Sequence, residues 1–226
     1  MSSVEKRIRG ILKKIYLEVF RTRVLMFHHV QSNPDIKRSG CVLDTRKFKE
    51  IVRLQKRCVS LREIVNTTRL GLRNRTAITF DDGLADVYSI AYPFLKKLNI
   101  PFTVFILTGL LDTEGYLTTN QLIELSRDPL VEIGCHGTQH RILTTCNDAE
   151  LHEEIKESKV ILESIINKPV DFFAYSHGAY DKEIIELVKE SGYIGACSVI
   201  GLPYAGFYIK RRYEIPRMNI EDATLT

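Results

Sequence analysis

Short apolar runs alternate with helical segments along almost the whole chain, and this alternation restricts the architecture more than any single motif does. "RVLMFHHV" (23–30), "TAITF" (76–80), "FTVFI" (102–106), "LVEIGC" (130–135), "VDFFAY" (170–175) and "YIGACSV" (193–199) read as strands. Residues 45–57, 84–98, 118–126, 147–167 and 181–191 carry the helical pattern. Pro93 is expected to bend or restart the second of these helices. Asn147 and Asp148 cap the fourth, Asn167 and Pro169 stop it, and Gly192 ends the fifth. The late segment "FYIKRRYEIPRMNI" suggests one more short strand. Strands that are apolar throughout belong in a parallel sheet covered by helices. About seven such units, with no Gly-rich phosphate loop, predict a distorted seven-stranded (β/α) barrel rather than a nucleotide-binding open sheet.

No linker interrupts residues 23–226, which are expected to form one α/β domain. Residues 1–22 precede it as a basic amphipathic segment. There, "VEKRIRGILKKIYLEVF" (4–20) sets Val4, Ile8, Ile11, Leu12, Ile15, Val19 and Phe20 at helical spacing. Such a helix packs on its own domain or lies on an anionic lipid surface, and the first is the commoner fate. Residues 1–23 carry a charge of +5 out of a net +4 for the chain, leaving the body at −1. The body therefore offers no net-charge case for nucleic acid as a partner. Five cysteines, none in a C-x-x-C pair, fit reduced thiols better than a disulfide framework. With no secretory h-region and no run long enough to span a bilayer, the expectation is a cytoplasmic protein, peripheral at the inner membrane face if residues 4–20 bind lipid.

In parallel α/β folds the chemistry gathers at the C-terminal ends of strands. His28 and His29 follow "VLMF", and Asp81, Asp82 and Gly83 follow "AITF". His136 and His140 stand at and after the end of "VEIGC", and Ser176, His177 and Gly178 follow "DFFAY". Only His152 falls inside a helix, where an exposed polar residue is expected. Two adjacent carboxylates at a buried strand end repel each other unless they are solvated or a cation sits between them. Two imidazoles four residues apart, together with a carboxylate, are a usual three-ligand set for a catalytic divalent metal.

"TFDDG", then "HGTQH" about fifty residues later, then "FFAYSHGAYD", resemble the motifs of the polysaccharide deacetylase family, carbohydrate esterase family four. "VLMFHHV" resembles its opening strand and "IPRMNI" its late Pro-Arg motif, so the likeness runs from Val24 to Ile220. The resemblance implies a barrel of the polysaccharide deacetylase type and a hydrolase that removes an N-acetyl group from an amino sugar. The substrate would be a polysaccharide, oligosaccharide or glycolipid precursor. It implies Asp82, His136 and His140 as ligands of a divalent ion, most simply zinc. It implies Asp81 as general base towards a metal-bound water, with a backbone N–H near His177 facing the oxyanion.

The sequence also departs from the family pattern. Ser176-His177 stand where Pro-Tyr is common, and Ala174 stands where many relatives place an Arg. Arg217 is expected to reach Asp81 in its stead. No Leu-x-His motif follows, and no histidine lies beyond residue 177, so His28 or His177 is expected to protonate the leaving amine. His29 is expected to point away, and Cys135 to face the wall opposite His136. Tyr116, Tyr175 and Tyr180 are loop candidates for stacking on sugar rings, with packing as the commoner role. Two alternatives stay open: the same scaffold acting on another small amide, imide or O-acetyl ester, and a glycan-binding protein without turnover.

Overall fold

The structure is a computed structural model that describes residues 22–31, 41–67, 74–199 and 211–220. The basic segment expected to be helical over residues 4–20 lies outside the described residues. The main sheet contains β1 (Arg23–Phe27), β4 (Thr76–Phe80), β5 (Phe102–Ile106), β6 (Val131–Cys135), β7 (Phe172–Ala174), β8 (Gly195–Ser198), β9 (Ile215–Pro216) and β10 (Met218–Asn219). Its order is β10-β1-β4-β5-β6-β7-β8-β9, and every pairing is parallel. β9 pairs with β8 and β10 pairs with β1, while only Arg217 separates them in the chain. One stretch of five residues thus bridges the two sheet edges and closes the barrel. Eight strands are delineated against the seven expected, because the closing strand is interrupted at Arg217.

The expected first strand divides at His28. β2 (His29–Gln31) leaves the barrel and pairs with β3 (Val42–Asp44) in a small parallel sheet. The helix expected over 84–98 is a π turn over Val87–Ala91 followed by a helix at Tyr92–Lys97, with Pro93 in its first turn. The two run on continuously, and the wider π turn precedes the residue that has no N–H to give to the turn before it. Thr118 and Asn147 form capping boxes that start the helices Thr119–Arg127 and Asp148–His152. The long helix expected over 147–167 widens into a π turn at Glu153–Glu157, then resumes over Ser158–Ile166. Asn167 ends it in the left-handed conformation.

Because strand side chains alternate, each strand feeds two cores. Leu25, Ile78, Val104, Ile133 and Phe173 pack outward against the helices. Val24, Ala77, Phe105, Phe172, Cys197 and Ile215 pack into the barrel. A short helix at Leu61–Asn66, absent from the sequence expectation, inserts Leu61, Ile64 and Val65 into this inner core. Cys58 bridges Thr76 at the start of β4, so this helix plugs the N-terminal end of the barrel. The opposite end is left for chemistry. Among the described residues no helix is long and apolar enough to cross a membrane.

Candidate active site

The inward row of each strand, continued past its end, leads to the candidate residues. Ala77 and Thr79 lead to Asp81, Glu132 and Gly134 lead to His136, and Ile215 leads to Arg217. Asp81 and His136 are each 2% exposed, and Arg217 is completely buried. The Asp81 N–H donates to the Phe27 carbonyl at 2.9 Å and so extends the β1–β4 ladder by one step. Asp82 and Gly83 then adopt φ of +70° and +71°. That reversal turns the second carboxylate toward the barrel mouth. A Cβ at Gly83 would approach Ile106 Cδ1 at 3.2 Å, so glycine suits both the conformation and the space.

Arg217 grips Asp81 with both terminal nitrogens, Nη1 to Oδ1 at 2.5 Å and Nη2 to Oδ2 at 2.7 Å. Its Nε donates to the Ser198 carbonyl at 3.3 Å, and its guanidinium lies 5.2 Å from the Phe105 ring centroid. Burial works to raise the Asp81 carboxyl. The charge of Arg217, the largest opposing influence, and the Arg217 hydrogen bonds outweigh it and hold the group well below the usual carboxylate range. Arg217, expected to reach Asp81, lies in contact with both of its oxygens.

Asp82, His136 and His140 each offer one donor atom, all within 4.8 Å of one another. His136 Nε2 lies 3.5 Å and His140 Nε2 3.7 Å from Asp82 Oδ1. His136 Nδ1 donates to the Ala174 carbonyl at 2.7 Å, an acceptor that fixes the proton there and leaves Nε2 free to bind. Burial lowers the His136 imidazole despite the nearby aspartates, and burial followed by the His177 charge lowers His140 to about 4. Both rings are therefore neutral at physiological pH, as metal ligands must be. Asp82 Oδ1 is buried and has no hydrogen-bond partner. An orphaned carboxylate oxygen facing two neutral imidazole nitrogens fits a divalent cation.

The remaining candidates divide. His28, half-buried, acts electrostatically on both Asp81 and His140 and so faces the site. His29 turns away, 2.7 Å from Asp86 Oδ2 through Nδ1. His177 is exposed, with φ of +56°, and its ring centroid lies 4.3 Å from that of His140. Cys135 faces outward, its thiol donating to Ser158 Oγ at 3.2 Å. Tyr175 is a packing residue, buried, stacked on Tyr180 at 4.6 Å and donating its hydroxyl to the Tyr213 carbonyl. Half-buried Tyr116 lies close enough for the Asp82 charge to raise its phenol, after burial itself.

Two residues take roles that the sequence reading did not assign, Ser176, noted there only for its position, and Glu154, not noted at all. Ser176 is buried and donates to the His136 carbonyl at 3.0 Å, so the Ser at this departure from the family pattern braces the ligand backbone. Glu154 is fully buried beneath the 136–140 loop. A strand-end Ser gave a positional signal, whereas Glu154 gave none, being one acidic residue among several on its helix.

The polysaccharide deacetylase family model matches residues 71–196, and the chain belongs to that family. YxkH of Bacillus subtilis (strain 168) is 28% identical over 116 residues, covering 51% of this chain and 41% of that one. A poly-β-1,6-N-acetyl-D-glucosamine N-deacetylase of Staphylococcus aureus (strain MRSA252) is 27% identical over 166 residues, covering 64% of this chain and 54% of that one. The chain thus spans about half the length of the curated relatives it matches. The Streptococcus pyogenes deacetylase PplD, solved in complex with acetate, aligns with a TM-score of 0.80 at 21% identity, covering 89% of this chain and 93% of that one. At that identity the likeness establishes the barrel fold.

Proposed function

We propose that this chain hydrolyses an N-acetyl group from an amino sugar within a glycan or glycolipid precursor, in a metal-dependent reaction. The observation that carries this reading is the convergence of two neutral imidazoles on the orphaned oxygen of Asp82, beside a carboxylate clamped by a buried arginine. Family membership and the named activity of the staphylococcal relative support the substrate class.

Asp82, His136 and His140 would hold the divalent ion, for which zinc suits the donor set. When bound, such an ion polarises the amide carbonyl and acidifies water. Asp81 accepts the proton of the attacking water at its carboxylate. Arg217 keeps that carboxylate ionised and fixed in place, and the Ala174 carbonyl and Ser176 hydroxyl fix His136 from either side. A backbone N–H of the turn Ser176–Gly178 donates to the developing oxyanion. The C–N bond then breaks, with a proton returned to the amine from His28 or His177, and acetate and a free amino sugar leave.

The test is acetate release by the purified chain from N-acetylhexosamine oligomers, small N-acetyl amides and O-acetyl esters, with and without a chelator. Release from the amino sugars that chelation abolishes and added zinc restores is the expected result. A chain that binds no divalent metal overturns the reading. Turnover confined to esters or small amides replaces the substrate class, and metal binding without any turnover makes the chain a glycan-binding protein.

A further inference from the structure

Glu154 has no exposed surface and its polar partners are not the candidate catalytic groups, yet it is a carboxylate, and burying one is costly unless it is matched by donors. Its donors are consecutive backbone amides of the loop that carries the histidines. Thr138 N–H donates to Oε2 and Gln139 N–H to Oε1, each at 3.0 Å. Two N–H groups aimed the same way need two acceptors, and of the common side chains only a carboxylate presents two with no competing donor. The clamp continues on the far side of His140. Arg141 lies 2.8 Å from Glu150, 3.6 Å from Glu153 and 3.5 Å from Glu154, and Thr138 Oγ1 donates to the Glu153 carbonyl at 3.2 Å. Residues on both sides of His140 are therefore tied to one helical segment, Asp148–Glu157.

That segment is shaped for the task. It widens into a π turn over Glu153–Glu157, where Glu154 falls on the buried side with Ile155. The loop is shaped to match, with Gly137 at φ +95° and His140 at φ +58°. A Cβ on Gly137 would stand 2.3 Å from Glu154 Oε2, so glycine is required for the carboxylate to reach the loop. A left-handed histidine is a conformation the chain adopts only where its surroundings impose it.

We infer that Glu154 is a positioning residue, whose buried carboxylate holds the 136–140 loop in the strained form that turns His140 toward His136 and Asp82. The inference rests on the metal-site reading above. Its test is titration of Co(II) into the metal-free full chain, followed by visible absorption, for wild type, E154Q and E154D. Gln keeps one acceptor but sets an amide donor against the second N–H, so E154Q is expected to bind Co(II) about 10–100-fold more weakly with an altered absorption band. E154D keeps both acceptors on a shorter stem and is expected to recover part of that loss. Wild-type affinity and spectrum in E154Q would overturn the inference, even with a lowered melting temperature, because the carboxylate would then serve the fold alone. Should E154Q fail to fold, E154A, which removes both acceptors, carries the same comparison: a weaker, altered Co(II) site supports the inference and an unaltered one overturns it. Failure of the wild-type chain to bind Co(II) would instead remove the metal-site reading, and that result needs no variant.

Discussion

At the C-terminal end of the barrel Asp81 is grasped by Arg217, and at the N-terminal end Glu132 is met by Arg62. Both carboxylates point inward from strands or their extensions, and both are largely removed from water. Burial raises each of them, yet the outcomes differ. Asp81 ends well below its ordinary value, because a fully buried guanidinium binds both of its oxygens. Glu132 ends above its ordinary value, because burial outweighs the charge and hydrogen bonds of Arg62 and the hydrogen bond of Thr103. Arg62 sits on the plug helix with its side chain 45% exposed, bonds one Glu132 oxygen through Nε at 3.1 Å, and is shared with Asp171. The lesson is that an arginine overrides desolvation when it is itself desolvated, bidentate and undivided.

The strongest way to break this contrast is to remove the two arginines in turn. R217A leaves a buried, unpaired carboxylate and is expected to lose about 3–5 kcal/mol in urea denaturation, with no remaining turnover. R62A, losing a half-exposed partner, is expected to cost no more than about 1 kcal/mol. Equal costs would show that the two pairs do the same job. Metal binding sharpens the contrast next. A saturating divalent ion at 100 times its Kd should stabilise the wild type by about 2.7 kcal/mol, read as a rise in melting temperature. D82A should abolish that rise, while R62A should leave it intact. The smallest effects lie in the pH dependence of stability. Glu132 has a raised folded value, so its contribution is fully present below about its unfolded value of 4.5 and is lost as pH rises through the folded one. E132Q should therefore gain stability relative to wild type as pH climbs from 4.5 toward neutrality. Asp81 runs the other way, its contribution being complete above the unfolded value of 3.8 and lost as pH falls through its folded one. A D81N variant should accordingly close its stability gap to wild type in acid, read by the same urea titrations at stepped pH.

The sequence carried the parts of this molecule that depend on neighbours along the chain. Strands with apolar residues on both faces, and helices opened by Thr118 and Asn147 caps, stand close to where pattern and capping placed them. The candidate cluster of Asp82, His136 and His140 was legible because two strand ends carry it, in "TFDDG" and "HGTQH". The break at His28 was not legible, since "VLMFHHV" is one apolar-looking run and only pairing with β3 pulls its second half away. Nor was the plug, whose six residues are too short for a convincing period. Glu154 was hidden for a third reason: a π turn shifts which face of a helix looks inward, and nothing in local composition announces that shift.

Closure at Arg217 bears on how the molecule assembles. The residue that neutralises Asp81 lies 136 positions later in the chain, within the stretch that joins β8 to β1. Until that stretch docks, the edges of β1 and β8 stay open and the inner aspartate lacks its guanidinium partner, which disfavours burying it. Sealing the sheet and pairing Asp81 with Arg217 are therefore a single long-range event, among the costliest in loop entropy that this topology contains. A chain that has acquired its ion pair has, by the same contact, finished folding its barrel.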